Sequence, residues 1–382
     1  MKSTTRLVAI GVSAIIALNS CQKGIKPGDQ AGAGLSASQP NARQGGPVHA
    51  TVSVFSTGFN NPRGLKFGPD GNLYVAEGGI GGTNSSRGLC DSVVFPVGPY
   101  TGSPTGGRIS KVNAAGVRTT VADNLPSSQA NEVVGGDVEG VADVAFIGNT
   151  MYALLAGGGC SHGVPTIPNG VVRVDPNGSW TMVANLSAWQ QSHPVQHPEP
   201  DDFEPDGTWY SMLELHGDLY ALEPNHGELV KVTTAGNISR VIDISASQGH
   251  IVPTALSYHG NFYVGNLNPF PIAGGASKLY KITPSGEIKI VGTGFNTVLG
   301  LVFDDRDRMY VLEMTAGAPG PTPGLGRVLR VDPAGNVTVV ATGLSFPTGM
   351  TMGADGNLYV SNWGFSPKAI GGGQVLKITL TP

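Results

Sequence analysis

The feature that most constrains the fold of this chain is an internal repeat. The segment "TVSVFSTGFNNPRGLKFGPDGNLYVAE" from Thr51 to Glu77 aligns with "VTVVATGLSFPTGMTMGADGNLYVSN" from Val337 to Asn362, at the other end of the chain. Weaker copies of the Leu-Tyr-Val segment within this unit begin at Met151, Leu219, Phe262 and Met309. Self-similarity of this kind indicates a repeat architecture, in which neighbouring units share one core.

A second short segment follows every copy and ends in a basic residue and then Val or Ile. These segments read "RISKV", "VVRV", "ELVKV", "KLYKI", "RVLRV" and "QVLKI", with the two-residue period of a β-strand. Turns such as "DPNG" and "DPAG" come next, because proline presets φ and glycine accepts the positive φ that closes a hairpin. We therefore predict six four-stranded antiparallel units, with strands named A to D in chain order and the Leu-Tyr-Val segment as strand B.

Six such sheets arranged radially form a six-bladed β-propeller, which is the fold class that we predict. The sixth unit ends after its C strand, whereas residues 51–57 form a D-type strand with no strand before it. The N-terminal strand is thus expected to complete the last blade and to remove the unpaired edges of an open array. The 57 glycines and 28 prolines suit many short strands and turns. A β-sandwich is the alternative, but sandwiches show no such repeat.

The first 20 residues have the pattern of an export signal. Lys2 and Arg6 precede the apolar run Leu7 to Leu18, which has the length of a signal-peptide core and is too short to span a bilayer. The run is followed by "LNSC", which resembles a bacterial lipobox with Cys21 as the acylated residue; an ordinary cleavage site is the alternative. Residues 21–49 are predicted to form a flexible tether, because they are rich in Gly, Ser, Gln and Pro. Residues 50–382 are predicted to form a single propeller domain.

The charge of the chain limits the possible partners. The formal net charge is -4, and no Lys/Arg-rich stripe occurs along the sequence. Nucleic acid is therefore excluded as an expected partner. We expect a monomer that contacts the membrane only through its lipid anchor, at the outer membrane because Gln22 rather than Asp follows Cys21.

Residues 50–380 resemble the ScyD/ScyE propellers, a family first associated with biosynthesis of the pigment scytonemin. The resemblance is closest from Val252 to Glu313, which contains "FYVGNLNPFPIAGGASKLYKI", and in "GNLYVAEGGIGG" from Gly71. The sequence departs from the family pattern at "EPNHG", residues 223–227. The resemblance implies an exported propeller that is accessory to a pathway, and it implies no particular reaction.

Topology predicts which face of the propeller carries the site. The A-B and C-D turns are short, whereas the long segments 79–106, 123–138, 185–208, 266–276, 314–325 and 363–373 are B-C or D-A connections. These connections lie on one face, here called the elaborated face, and binding sites commonly lie on loops held by a rigid scaffold.

Polar residues at the strand ends on this face are the predicted ligand or metal set. The ends of B strands supply Glu77, Glu223, Asn266, Glu313 and Asn362, and the starts of A strands supply Arg63, Asp143, His250 and Thr348. Convergent carboxylates and amides could bind a divalent cation, Ca²⁺ or Zn²⁺, or a hydroxyl-rich ligand. The alternative is a solvated rim in which polar residues merely end the strands.

Two further groups of residues lie in the same connections. Cys90 and Cys160 occupy equivalent B-C connections of blades 1 and 2, so we predict a disulfide between them. The acidic run Glu199, Asp201, Asp202, Glu204 and Asp206 could bind a hard cation or could be a solvated loop.

Two classes of function remain at this stage. One is a non-catalytic module that binds a small molecule, a glycan or a protein partner at the cell envelope. The other is a metal-dependent hydrolase, lactonase or lyase with a divalent cation in the central channel. No Gly-x-Ser-x-Gly motif and no nucleophile-base pair are evident, and the fold alone does not decide between the two.

Overall fold

The computed structural model describes residues 50–91, 97–130, 137–199, 203–317, 320–365 and 370–380. The predicted signal peptide, Cys21 and the tether lie outside these residues, as do Asp201 and Asp202. The described chain forms six antiparallel sheets arranged as a six-bladed β-propeller, which confirms the predicted fold class. No helix among the described residues has the length and apolar character needed to cross a membrane.

The blades are numbered in chain order, and their strands are given from A to D. Blade 1 contains β2 (Pro62–Phe67), β3 (Leu73–Glu77), β5 (Thr101–Val112) and β6 (Arg118–Gln129), with the short strands β4 (Asn84–Ser85) and β7 (Val138–Glu139). Blade 2 contains β8 (Val141–Ile147), β9 (Thr150–Leu155), β10 (Gly170–Val174) and β11 (Trp180–Asn185). Blade 3 contains β12 (Ser211–Leu215), β13 (Asp218–Glu223), β14 (Glu228–Val232) and β15 (Ile238–Asp243).

The remaining blades follow the same order. Blade 4 contains β16 (Pro253–Tyr258), β17 (Phe262–Asn266), β18 (Ser277–Ile282) and β19 (Ile288–Phe295). Blade 5 contains β20 (Val298–Phe303), β21 (Met309–Glu313), β22 (Gly326–Val331) and β23 (Val337–Leu344). Blade 6 contains β24 (Gly349–Met352), β25 (Leu358–Asn362), β26 (Gly373–Leu380) and, as its D strand, β1 (Ala50–Phe59). Two short helices lie in D-A connections, α1 (Leu186–Ser192) and α2 (Ser245–Gln248).

The ring is closed by the N-terminal strand, as predicted. Strand β1 pairs antiparallel with β26, from Ala50 opposite Leu380 to Phe59 opposite Gly373. The closing strand is therefore longer than the predicted residues 51–57. The A strands of neighbouring blades contact each other all the way around the ring, so they line the central axis.

The hydrophobic core is divided among the six interfaces between blades. Side chains alternate along each B strand, so both faces of a sheet are buried. On β9, Tyr152 and Leu154 pack against blade 3, whereas Met151 and Ala153 pack against blade 1. This explains why the B strands read as nearly continuous apolar runs, although most antiparallel sheets with one solvated face show a clear alternation.

Blade 1 differs from the prediction in the length of its outer strands. Segments 79–106 and 123–138 were expected to be connections, but β5 begins at Thr101 and β6 continues to Gln129. The extension is held by backbone pairing, with Thr101 opposite Gln129, and by the pairing of β6 with β7. Its sequence lacks the apolar alternation of a core strand, so the pattern of residues did not reveal it.

Candidate functional site

A cavity of about 460 Å³ opens on the elaborated face, above the central axis. B-C and D-A connections from all six blades contribute to its walls. The apolar part of the wall includes Val141, Trp209, Leu267, Phe270 and Met314. This volume is within the range of small-molecule pockets, which are mostly apolar with a few placed polar groups.

Tyr210 separates the cavity from the lower part of the channel. It borders both the cavity and a much smaller space of about 30 Å³ between the A strands. The Tyr210 hydroxyl donates a 2.7 Å hydrogen bond to the carbonyl oxygen of Thr348 in blade 6, which is opposite blade 3 in a six-membered ring. Burial raises the pKa of Tyr210 to about 12, so the phenol remains neutral at physiological pH. The phenol therefore forms a fixed floor across the axis.

A charged group lies beside this floor. Arg63 donates hydrogen bonds to the carbonyl oxygen of Val138 (2.7 Å) and to Asp137 (3.4 Å), and its guanidinium lies 5.9 Å from the centre of the Tyr210 ring. Asp137 lines the cavity, and 34% of its side-chain surface is accessible to solvent. Loss of bulk hydration, together with the nearby Glu139, raises its pKa to about 6 against the opposing effect of Arg63. A carboxyl group with this pKa can exchange a proton with a ligand near neutral pH.

A buried histidine lies behind the same wall. His162 has no exposed surface, and its Nε2 lies 2.8 Å from an oxygen of Glu139 and 3.1 Å from an oxygen of Glu204. Burial alone would lower the pKa of His162, but the hydrogen bonds and charges of the two glutamates outweigh burial and raise it well above the usual value. Glu139 and Glu204 line the cavity, so this group borders the same space as Arg63 and Asp137.

A disulfide fixes the turn that carries His162. Cys90 and Cys160 are bonded to each other, with their Cα atoms 5.9 Å apart. Asp206 reinforces the turn by accepting hydrogen bonds from the Ser161 hydroxyl (2.8 Å) and the Ser161 amide (2.9 Å). Cys90, Cys160 and Asp206 lie close enough to suggest a metal site, but bonded cysteines offer no thiolate ligand.

The described members of the acidic run do not form one solvated loop. Glu199, Glu204 and Asp206 are all at least nine-tenths buried, and each contacts a different partner. Glu199 lies 2.6 Å from Nε2 of His250, while Asp206 contacts Ser161. The residues of this run are buried against different parts of the fold. The sequence does not show this, because it lists them as one continuous acidic segment.

Two of the nine predicted site residues line the cavity, namely Arg63 and His250. Asp143 and Thr348 line the smaller space below Tyr210. Asp143 accepts a 2.9 Å hydrogen bond from the Met212 amide, which links blade 2 to blade 3. Their side chains therefore belong to the packing of the A strands around the axis.

The five residues at the ends of B strands are absent from the described cavity wall and instead hold connections in place. Glu77 accepts hydrogen bonds from the Asn60 amide (2.7 Å) and from Arg108 (2.6 and 2.9 Å). Glu313 similarly accepts from the Asn296 amide (2.8 Å) and from Arg327 (2.5 Å). Each glutamate ties its B strand to the preceding D-A connection and to the facing C strand.

In blades 3, 4 and 6 the polar residue at the end of the B strand also holds a connection in place, but without an arginine partner. Glu223 accepts hydrogen bonds from the amides of Thr208 (2.8 Å), Asn225 (3.1 Å) and His226 (2.5 Å), which organises the "EPNHG" turn. The Asn266 side chain bonds the Lys278 amide and the Ile251 carbonyl, and Asn362 accepts a 2.8 Å bond from the Ser345 amide. We call these five residues the blade clamps.

The residues that sequence reasoning missed are Asp137, Glu139, His162 and Tyr210. Asp137 and His162 lie in connections specific to their blades, and Glu139 ends the short extra strand β7, so the repeat does not highlight them. Tyr210 directly precedes the A strand β12, as Thr348 precedes β24, so the repeat could have highlighted it. A weak signal existed for His162, because it stands two residues after a cysteine that was predicted to be in a disulfide. A signal also existed for the clamps, because Arg108 and Arg327 begin the repeated segments "RISKV" and "RVLRV" and pair directly with Glu77 and Glu313.

Comparison with known proteins supports the fold alone. No protein-family model and no curated protein matches the chain. Similar solved structures include a protein of unknown function from Bacteroides thetaiotaomicron, with a TM-score of 0.56, 13% identity, and coverage of 88% of this chain and 77% of that one. A Thermus thermophilus oxidoreductase (glucose dehydrogenase) gives a TM-score of 0.53 at 17% identity, with coverage of 87% of this chain and 100% of that one. A gluconolactonase from Xanthomonas campestris gives a TM-score of 0.52 at 9% identity, with coverage of 87% of this chain and 90% of that one. At these identities the likeness establishes that the chain shares the architecture of these propellers and says nothing of their activities.

Proposed function

We propose that this protein is a binding module that takes a small organic molecule into the cavity above Tyr210. The observation that carries the proposal is the cavity itself, an apolar-walled space with a closed floor and a few polar groups on one side. Such a site suits a ligand with an apolar or aromatic body, because burial of its surface supplies most of the binding free energy.

The charges on the wall favour a neutral or positively charged ligand. The described lining residues include the acidic groups Asp137, Glu139, Glu199 and Glu204, against the basic groups Arg63 and His250. Burial lowers the pKa of His250 against the opposing effect of Glu199, which leaves Arg63 as the main cation of the wall. A ligand that carries an amine or hydroxyl groups would suit this wall, because ionised carboxylates accept hydrogen bonds.

A matched pair of aromatic probes tests this proposal. Tyramine and 3-(4-hydroxyphenyl)propionate share one aromatic body and carry opposite charges, so isothermal titration of the chelator-treated full chain in mild detergent separates charge from shape. We expect tyramine to bind about tenfold or more tightly than the acid, which corresponds to about 1.4 kcal/mol. The D137N variant should reduce the preference, and D143N, altered below Tyr210, should keep it. Equal or tighter binding of the acid, or no binding of either probe at millimolar concentration, would contradict the proposal.

We also propose that the module is held at the bacterial envelope by lipid on Cys21. This rests on "LNSC" directly after the apolar run, and multiple acyl chains bind a membrane far more firmly than one. The resemblance to ScyD/ScyE propellers agrees with an exported role accessory to a pathway.

The C21A variant tests the anchor. We expect it to move from the membrane pellet to the soluble fraction when cells are lysed and fractionated, because the acylation site is gone. A lysis in high salt serves as the control for peripheral attachment. If C21A stays in the pellet at the level of the unmodified protein under both conditions, the proposal of a lipid anchor is wrong.

A second candidate is a hydrolase, lactonase or lyase whose reaction uses a divalent cation. The gluconolactonase among the structural neighbours makes this class worth testing, although the likeness is one of fold. One arrangement of this chain favours it, namely His162 between two carboxylates at the cavity wall.

A further inference from the structure

Three segments from different parts of the chain converge at the side of the cavity. Glu139 ends β7, His162 lies in the B-C connection of blade 2, and Glu204 lies in the D-A connection between blades 2 and 3. Their ligand atoms, one imidazole nitrogen and two carboxylate oxygens, all lie within 4.8 Å of one another. We propose that these three residues form a binding site for one divalent transition-metal ion, such as Zn²⁺, at the wall of the cavity.

The spacing of the ligand atoms fits a single ion. His162 Nε2 is 2.8 Å from the Glu139 oxygen and 3.1 Å from the Glu204 oxygen. For metal-ligand bonds of about 2.1 Å, neighbouring ligand atoms lie roughly 3.0 to 3.4 Å apart in octahedral or tetrahedral geometry. A small adjustment of the two glutamates would therefore place all three atoms on one ion.

The other ring nitrogen of His162 is oriented for this role. The Ser161 hydroxyl lies 3.2 Å from Nδ1 and is itself a donor to Asp206, at 2.8 Å. Because that hydroxyl hydrogen is used on Asp206, the Ser161 oxygen accepts from Nδ1–H. This hydrogen bond directs the Nε2 lone pair of a neutral imidazole toward the two carboxylates. Metal-binding histidines usually donate their second N–H in this way.

A cation also suits two carboxylates that face one nitrogen. A protonated Nε2 has one hydrogen to donate, which the two glutamates would share. A divalent ion interacts with both at once and compensates the charges of two carboxylates whose side chains are 13% and 2% exposed. The remaining oxygen of Glu204 is held by the Tyr100 hydroxyl at 3.0 Å, which orients the carboxylate.

The turn that carries His162 is rigid before any ion binds. The Cys90–Cys160 disulfide, the bridge between Gly159 and Val164, and the Ser161–Asp206 hydrogen bonds all fix it. At Gly159, φ is +95° and a Cβ atom would lie 2.1 Å from the Asp206 carboxyl carbon, so no other residue fits there without movement. A site on a rigid scaffold loses little entropy when it binds a metal.

The site faces the cavity on its open side. Glu139 and Glu204 line the cavity whereas His162 lies behind them, so an ion there would have three protein ligands and coordination positions open to the cavity. Sites with three ligands and an open position are typical of catalytic metals, since structural zinc sites use four protein ligands. Imidazole together with carboxylates favours a transition metal over Ca²⁺, which prefers six to eight oxygen ligands.

Metal binding by the tag-free full chain tests the site without any organic ligand. After removal of metals with a chelator, isothermal titration with ZnCl₂ and native mass spectrometry are expected to show one tightly bound Zn²⁺ per chain, with no competition from Ca²⁺. The E139Q variant should bind Zn²⁺ about 100-fold more weakly, because one of three ligands is lost. E199Q, which changes another carboxylate of the cavity outside the cluster, should bind like the unmodified chain.

Several outcomes would overturn the site. They are the absence of stoichiometric Zn²⁺ in the unmodified chain at micromolar concentrations, unchanged Zn²⁺ binding by E139Q, or loss of binding by E199Q. Thermal melts of the metal-free variants check that each is folded.

If E139Q fails to fold, Co²⁺ in the unmodified chain provides the test. A Co²⁺ ion that is bound by protein ligands and few waters absorbs visible light far more strongly than hydrated Co²⁺. A spectrum of hydrated Co²⁺ alone would refute the proposal. The outcome is independent of the tyramine experiment, which uses metal-free protein.

Discussion

A chain that begins at residue 60 is expected to lose its cooperative fold. Without β1, the whole of β26 loses its outer partner from Gly373 to Leu380, and the last blade presents an unpaired edge. Phe59, which is fully buried at the interface of blades 6 and 1, is lost as well. A buried phenylalanine alone contributes about 3 to 5 kcal/mol, against a total stability of about 5 to 15 kcal/mol for a typical domain.

Circular dichroism melts and gel filtration would measure this effect. The matched control begins at residue 50, which removes the predicted signal and tether and keeps the whole of β1. We expect the control to melt as the full chain does and the shorter chain to aggregate or to melt without a sharp transition. A sharp transition at the same temperature in both truncated chains would show that β1 does not close the ring.

The double variant E77Q/E313Q is expected to be strongly destabilised. Each carboxylate is fully buried and accepts charged hydrogen bonds from an arginine as well as one from a backbone amide. Glutamine keeps the shape of the side chain but removes the charge, so each site should lose about 2 to 3 kcal/mol. The two clamps lie in blades 1 and 5 and share no partner, so their effects should add to about 4 to 6 kcal/mol.

Urea denaturation measures the free energy of unfolding for this variant. E214Q/E287Q, with both substitutions at exposed glutamates, is the matched control and should stay within about 0.5 kcal/mol of the unmodified chain per site. Tyramine affinity, measured where the variant is folded, should not change, since neither clamp lines the cavity. Unchanged stability together with lost ligand binding would instead make the ends of the B strands the ligand site.

The clamps explain why only two members of the predicted ring of ligands line the cavity. A polar residue at a strand end has two possible uses, to face a ligand or to satisfy the backbone amides of the next connection. In blade 1 the second use prevails, because the Asn60 amide points at Glu77 and would otherwise be buried without a partner. The register of Glu77 against Arg108 was implicit in the repeat, so this outcome could have been inferred from the cross-strand pair.

The cavity itself was beyond what the repeat could predict. Arg63 and His250 were selected because they start A strands, and they line it, but Asp137, Glu139 and His162 come from connections that follow no repeat. Their contacts join residues 23 to 42 positions apart, as Glu139, His162 and Glu204 illustrate. Such contacts depend on the path of each loop, which local propensity does not encode.

The sequence by itself determined the architecture of this protein. Six copies of the B and C strands, their turns, and a lone D strand at the N-terminus were sufficient to predict six blades and their closure, because the two-residue alternation and the turn chemistry are local. Only the tertiary structure decided which polar side chains border the cavity. Whether a glutamate contacts the backbone amide of another connection or an open cavity depends on which loops meet it in space. Glu77 and Glu139 therefore have the same chemistry and different roles, one closing a blade and one bordering the cavity.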